Sequence, residues 1–185
     1  MKGGALERSL IEHGAPTLAG LKTASLFCVP AQGDWQAQVD QWDRFLRGKG
    51  LTLRMLRRQG ERVLLYLYRP AQLQRDLHRP GVLGFLTQYG YRASSVEEVV
   101  ERLRQRLEES TGFPHEVGLF LGYPLEDVVG FIRHGGKNCK CSGCWKVYSN
   151  ELEARKRFAK LDKCRRIYAK LYSQGRTVRQ MTVAA

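Results

Sequence analysis

The chain reads as a mixed α+β protein of the α/β type: a single domain over residues 1–185, with a mixed sheet of about five strands packed by helices. Three observations predict this. Runs with helical apolar spacing alternate with runs rich in strand formers, and no internal repeat or low-complexity segment interrupts them. Two strand-like runs flank Gln59-Gly60-Glu61, so the sheet contains a hairpin and is not all parallel. A hydrophobic content of 43% in 185 residues supplies a core and excludes disorder for the bulk of the chain.

Each element has its own signal. Residues 5–13 form a short amphipathic helix ended by Gly14, and Pro16 and Thr17 restart the chain. Ala24 to Val29 reads as a buried strand before Pro30, with Cys28 in the core. Trp35, Val39, Trp42 and Phe45 lie at helical spacing over 34–48, and Gly48-Lys49-Gly50 ends that helix. Residues 51–58 and 62–69 make the hairpin, which Pro70 stops. Short helices follow at 71–77 and 80–89, split by Pro80. A stronger helix opens at Ser94 or Ser95 and runs to about Ser110, with acids in its first turn.

The apolar stretch 117–121 reads as a buried strand turned by Gly122. Pro124 suits the first position of a helix running to about His134. A short strand at Trp145 to Tyr148 and a long helix over about 151–173, ended by Gly175, complete the order.

Composition narrows the function. No uninterrupted run of about 18 apolar residues exists, so no membrane-spanning helix is expected. Met1 to Ser9 carries Glu7 and Arg8 and lacks the apolar region of a secretory signal, which points to the cytoplasm. The formal charge is +13. Fourteen Lys and Arg against three acids between Arg133 and Ala185 hold most of that excess. A surface of this kind attracts an anionic partner, nucleic acid or an acidic protein, although many basic helices are only solvated faces. Walker loops, dinucleotide fingerprints, nucleophile elbows and zincin helices are all absent.

Three of five cysteines, Cys139, Cys141 and Cys144, fall within six residues. In a reducing compartment an odd set of thiols fits a disulfide framework poorly. The bend at Ser142-Gly143 can turn three sulfurs toward one centre, and Lys137, Lys140 and Lys146 favour thiolate. A zinc ion or iron–sulfur cluster there needs a fourth ligand. Cys164 is the first candidate, with His134 and His115 as others. Cys164 also lies on the apolar stripe Phe158, Leu161, Tyr168 and Leu171, where a thiol is commonly plain core. Thiol redox chemistry and a purely structural loop are the other readings.

Two further segments hold polar groups in small-residue surroundings. His13, Thr17 and Lys22 border a stretch whose backbone could approach a cofactor, or simply mark a helix stop. His115 and Glu116 precede the apolar stretch 117–121, where His115 can act as acid, base or ligand, or as a hydrogen-bonded structural residue. Glu126 and Asp127 offset the positive end of the following helix, which argues against a phosphate cradle.

Three blocks resemble those of a known family: His13-Gly14-Ala15-Pro16-Thr17-Leu18-Ala19-Gly20, Phe113 to Val128, and Asn138 to Tyr148 with its Cys-x-Cys-x-x-Cys-Trp-Lys-Val-Tyr pattern. With the tail Gln180 to Ala185, the chain resembles an uncharacterised bacterial family, a domain of unknown function. The resemblance spans nearly the whole chain and implies one family domain, with no established activity. Two functions are therefore expected. One is a metal- or cofactor-binding protein using Cys139, Cys141 and Cys144 with Cys164 or a histidine. The other is a non-enzymatic module whose basic last helix, from Arg155 to Arg166, contacts an anionic partner. An enzyme built on His13, His115 and Glu116 would require those three to converge.

Overall fold

The computed structural model describes residues 4–109 and 112–185, so the expected helix end at Ser110 and the segment before Gly4 lie outside the described residues. It is a mixed α+β structure, and its backbone divides into two compact units. Unit 1 takes the chain up to Gln72 together with 163–185, and unit 2 takes Leu73–Asp162. Among the described residues no helix is long and apolar enough to cross a membrane.

Unit 1 is built on three antiparallel strands, β1 (Ala24–Pro30), β2 (Thr52–Gln59) and β3 (Arg62–Tyr68), in the order β1-β3-β2. The β2–β3 hairpin turns where the sequence predicts, with Gly60 in the left-handed region at φ +57°. Central strand β3 is buried on both faces: Val63, Leu65 and Leu67 on one, Tyr66 and Tyr68 stacked 4.8 Å apart on the other. That is why it reads as a continuous apolar run rather than an alternation. Edge strand β1 does alternate. Phe27 and Val29 point into the core and Cys28 points out, so the expectation of a core Cys28 is corrected by the two-residue period of the strand.

Two helices cover the Leu65 face, α1 (Ala5–Leu18) and α2 (Trp35–Arg47). Asp34 caps α2, accepting from Ala37 N at 3.3 Å. Helix α1 continues through Gly14 and Pro16, where the sequence suggests a stop. Gly14 is there for clearance, since a Cβ on it would lie 2.8 Å from the Leu67 side chain. Leu10, Ala15 and Leu18 are fully buried, and that burial outweighs the ladder bond lost at Pro16. The last turns of α8 (Glu151–Ser173) and the short α9 (Val178–Met181), which sequence reading did not anticipate, complete this core. Thr177 and Gln180 close α9 with a capping box.

One side chain ties unit 1 together. Buried Arg69 follows β3 directly and donates to Thr17 O at 2.8 Å and Leu18 O at 3.0 Å, the final carbonyls of α1. Its third bond, 2.7 Å to Val183 O, holds the C-terminal segment. Helix α1 has no basic residue of its own in its last turn, so Arg69 supplies the positive charge that its C-terminal dipole favours.

Unit 2 is mostly helical: the rest of α3 (Pro70–Leu77), then α4 (Val82–Thr87), α5 (Val96–Glu109), α6 (Val117–Phe120), α7 (Leu125–His134) and the first half of α8. Ser95 and Glu98 cap α5 reciprocally, each backbone N–H bonded to the other's side chain at 3.3 Å. The expected buried strand at 117–121 is instead the one-turn helix α6. A short apolar run does not distinguish strand from buried helix, and here Leu121 N bonds Val117 O at 3.1 Å along a helical ladder. Pro124 stands one residue before α7 as its N-cap.

Among the described residues four of the five expected strands are present, a fifth forms instead at Cys141–Ser142, and the five do not make one mixed sheet. The last two, β4 (Cys141–Ser142) and β5 (Lys146–Val147), make a separate antiparallel pair of two residues each.

Arg69→Ala leaves three carbonyls without their donor and is expected to cost about 3 kcal/mol in urea unfolding. Arg69→Lys, a point charge without the planar fork, should recover only part of this. An alanine variant as stable as the parent would contradict the assignment.

Candidate functional site

Unit 2 contains a cavity of about 300 Å³ between α6, α7 and the β4–β5 hairpin. Its apolar lining is Val117 and Gly118 from α6, Val128 and Phe131 from α7, and the rings of Tyr123 and Trp145. Val117, Val128 and Trp145 are buried. His115 and Lys146 line it too, and both are exposed. The cavity therefore has a largely apolar interior and two exposed nitrogen-bearing side chains in its lining.

The hairpin wall is set by buried Asp127, in the first turn of α7. Its Oδ2 accepts from the Trp145 indole Nε1 at 2.7 Å, and its Oδ1 accepts from Tyr148 N and Ser149 N, each at 2.8 Å. A carboxylate with three donors and a helix N-terminus behind it is well satisfied in a buried place. Trp145 is then clamped by rings, stacked on Tyr123 at 4.8 Å and edge-on to Phe158 at 4.6 Å, with the Arg157 guanidinium 5.1 Å from its centre. Burial holds the Arg157 pKa below its usual value.

Backbone bonds finish the loop. Lys140 N donates to Val147 O at 2.8 Å, and the Tyr123 hydroxyl donates to Cys144 O at 3.2 Å. Lys146 Nζ donates to Gly136 O at 2.6 Å and stands 6.0 Å from the Phe131 ring centre. Gly143 is required by proximity, because a Cβ there would run into the Phe158 ring.

The expected site residues separate under this geometry. Cys139, Cys141 and Cys144 are all partly exposed, and Cys141 and Cys144 pack against the small core of Trp145, Val147, Ala154 and Phe158. Cys164 belongs to unit 1, buried in the core beside Tyr168, and burial raises its thiol pKa, away from the thiolate a metal needs. Among the described residues no three His, Cys, Asp or Glu side chains gather into a group that could hold a metal ion.

His13 belongs to unit 1, where it stacks on Phe27 at 5.4 Å. His115 sits edge-on to Phe131 at 5.0 Å on the cavity. Glu116, its neighbour, points elsewhere: it is buried, pairs with Arg106 at 3.0 Å and accepts from the Tyr91 hydroxyl at 3.4 Å. Burial, and then the Glu116 carboxylate, push the Tyr91 phenol far up, so Tyr91 stays a donor. Glu116 is thus part of the internal framework. Sequence reading missed Trp145, Phe131 and Lys146 as lining residues. The only available signals were the Val128–Phe131 helical spacing and the tryptophan beside Cys144.

Asp127→Asn sets an amide N–H₂ against the Trp145 indole N–H and is expected to cost about 2 kcal/mol. In a Trp145→Phe background, where that donor is gone, the same change should cost about 1 kcal/mol less, measured as a double-mutant cycle in urea. Additive costs would show that the indole bond carries no energy.

Searches of curated proteins and of solved structures find no match. A family model does match over residues 10–182, taking in both units, the cavity and the cysteine loop. The chain accordingly belongs to the family described as protein of unknown function DUF3793.

Proposed function

We propose that this protein binds a small organic molecule, a ligand or cofactor, in the unit 2 cavity. The observation that carries the reading is an apolar, aromatic-lined cavity of about 300 Å³ with two convergent polar side chains at its edge. That is the usual form of a small-molecule site, at the lower end of its size range. The cysteine loop supplies a wall of the site through Ser142, Gly143 and Trp145, and its thiols are not the binding groups.

Titration with indole as a probe, followed by amide NMR, should move the Trp145 indole N–H and the backbone of residues 117–131 saturably. Ser142→Trp, at an exposed lining position, should abolish the shifts while leaving the protein folded. A Cys139, Cys141 and Cys144→Ser triple variant should keep them, and should carry no less zinc or iron than the parent when both are purified without oxygen. Absence of any saturable shift overturns the cavity reading. Loss of metal in the triple variant would restore the thiols as ligands.

A second reading rests on α8. Lys160, Lys163, Arg166 and Lys170 follow one another at helical spacing, all exposed, and make no ion pair among the described residues. Earlier in the helix Arg155 and Lys156 are paired with Glu151 and Glu153. Buried Phe158 and Tyr168 offer no stacking platform, so this face would meet nucleic acid through phosphates alone. Binding to random-sequence duplex DNA should weaken with salt with a log–log slope between about −3 and −4. Glutamine at all four positions should remove that dependence, and no salt-sensitive shift at all would end this reading.

A further inference from the structure

We infer that the cavity ligand is a small aromatic acid: a planar ring system carrying a single carboxylate. This rests on the cavity being a ligand site, and it follows from how the charges around it are already committed.

Among the described residues Asp127 is the one carboxylate in the lining, and its two oxygens accept three hydrogen bonds from Trp145, Tyr148 and Ser149. It has little left with which to hold an amine or guanidinium. The basic groups are differently placed. Lys146 gives one N–H to Gly136 O, which leaves two of its three donors, and it lies exposed at the cavity with His115. A ligand therefore meets uncommitted donors at the accessible edge and no uncommitted buried acid inside. Those donors call for an anion, and their position calls for an anion whose charge stays at the rim.

The interior selects the rest of the molecule. Phe131, Tyr123 and Trp145 provide ring faces and edges, while Val117 and Val128 fill the remaining surface. An aromatic ring gains from such walls through edge and face contacts that an alkyl chain does not make. A phosphate ester fits less well, because the first turn of α7 already carries the acids Glu126 and Asp127, which offset the positive end that could cradle it. One charge on a flat apolar body matches the inventory.

The test compares naphthoate with its neutral amide, naphthamide, by calorimetry on the full chain. The two share ring and shape and differ in the charge at the rim. The acid is expected to bind about tenfold more tightly, the effect of one charge-assisted hydrogen bond. Lys146→Met should bring naphthoate down to the affinity of naphthamide and leave naphthamide unchanged. Lys49→Met, the same change of charge in unit 1, should alter neither. Equal binding of acid and amide to the parent overturns the ligand class while leaving the cavity reading in place. Binding of neither probe, with no indole shift, overturns both. Loss of both probes in Lys146→Met would mean that the lysine shapes the cavity through Gly136 and does not read the charge, which also overturns the inference.

Discussion

The arrangement of unit 2 depends on one carboxylate taken out of water. A buried anion is tolerable only where donors replace its hydration, and Asp127 has three of them, all from the segment Trp145–Ser149. The need runs both ways. The indole N–H of Trp145 and two backbone N–H groups would themselves be unsatisfied without the acid. Because the partners lie on α7 and on the hairpin, their mutual satisfaction fixes where the hairpin stands. The cavity exists because that position leaves a gap beside α6 that ring packing around Trp145 does not close.

Much of this architecture was legible in the sequence, for local reasons. The hairpin around Gly60 follows from the turn residue and its flanking strand formers. Helix α5 follows from Ser95 and the acids behind it, and long α8 from its unbroken apolar stripe. These signals lie within a few residues of the feature they specify. The misreadings share the opposite character. Helix α1 passes Pro16 because distant residues bury its last turn and Arg69 takes its final carbonyls. Residues 117–121 are misread because 117–120 are all buried, and a buried run has no period by which to tell helix from strand. Cys28 faces out because side chains alternate along β1 and Phe27 and Val29 take the core face, a fact of register and not of composition.

The site was legible only in part, for the same reason. His115 was identified as a candidate and does line the cavity, whereas its neighbour Glu116 turns inward to Arg106. The cysteine loop was identified by its rarity, yet what the fold uses of it is the small bend at Ser142-Gly143 and the tryptophan behind it. Rarity marks a segment as constrained and does not say which atom bears the constraint. The basic charge of the last third, likewise, divides once partners are visible: Arg155 and Lys156 are neutralised by their own helix, and the stripe from Lys160 to Lys170 is not.

The Arg69 tie to Val183 has a consequence for how the protein is made. Unit 1 is discontinuous, whereas unit 2 is one unbroken stretch, Leu73–Asp162. During synthesis every residue of unit 2 leaves the ribosome before Cys164, Tyr168 and Val183, which unit 1 requires. The nascent chain thus carries a half-built three-stranded sheet through the whole translation of its insert, with the Leu65 face lacking part of its cover. Domains tend to fold in the order in which they are completed. Here that order places the assembly of unit 2 first and makes the segment 163–185, rather than the sheet, the step on which unit 1 waits.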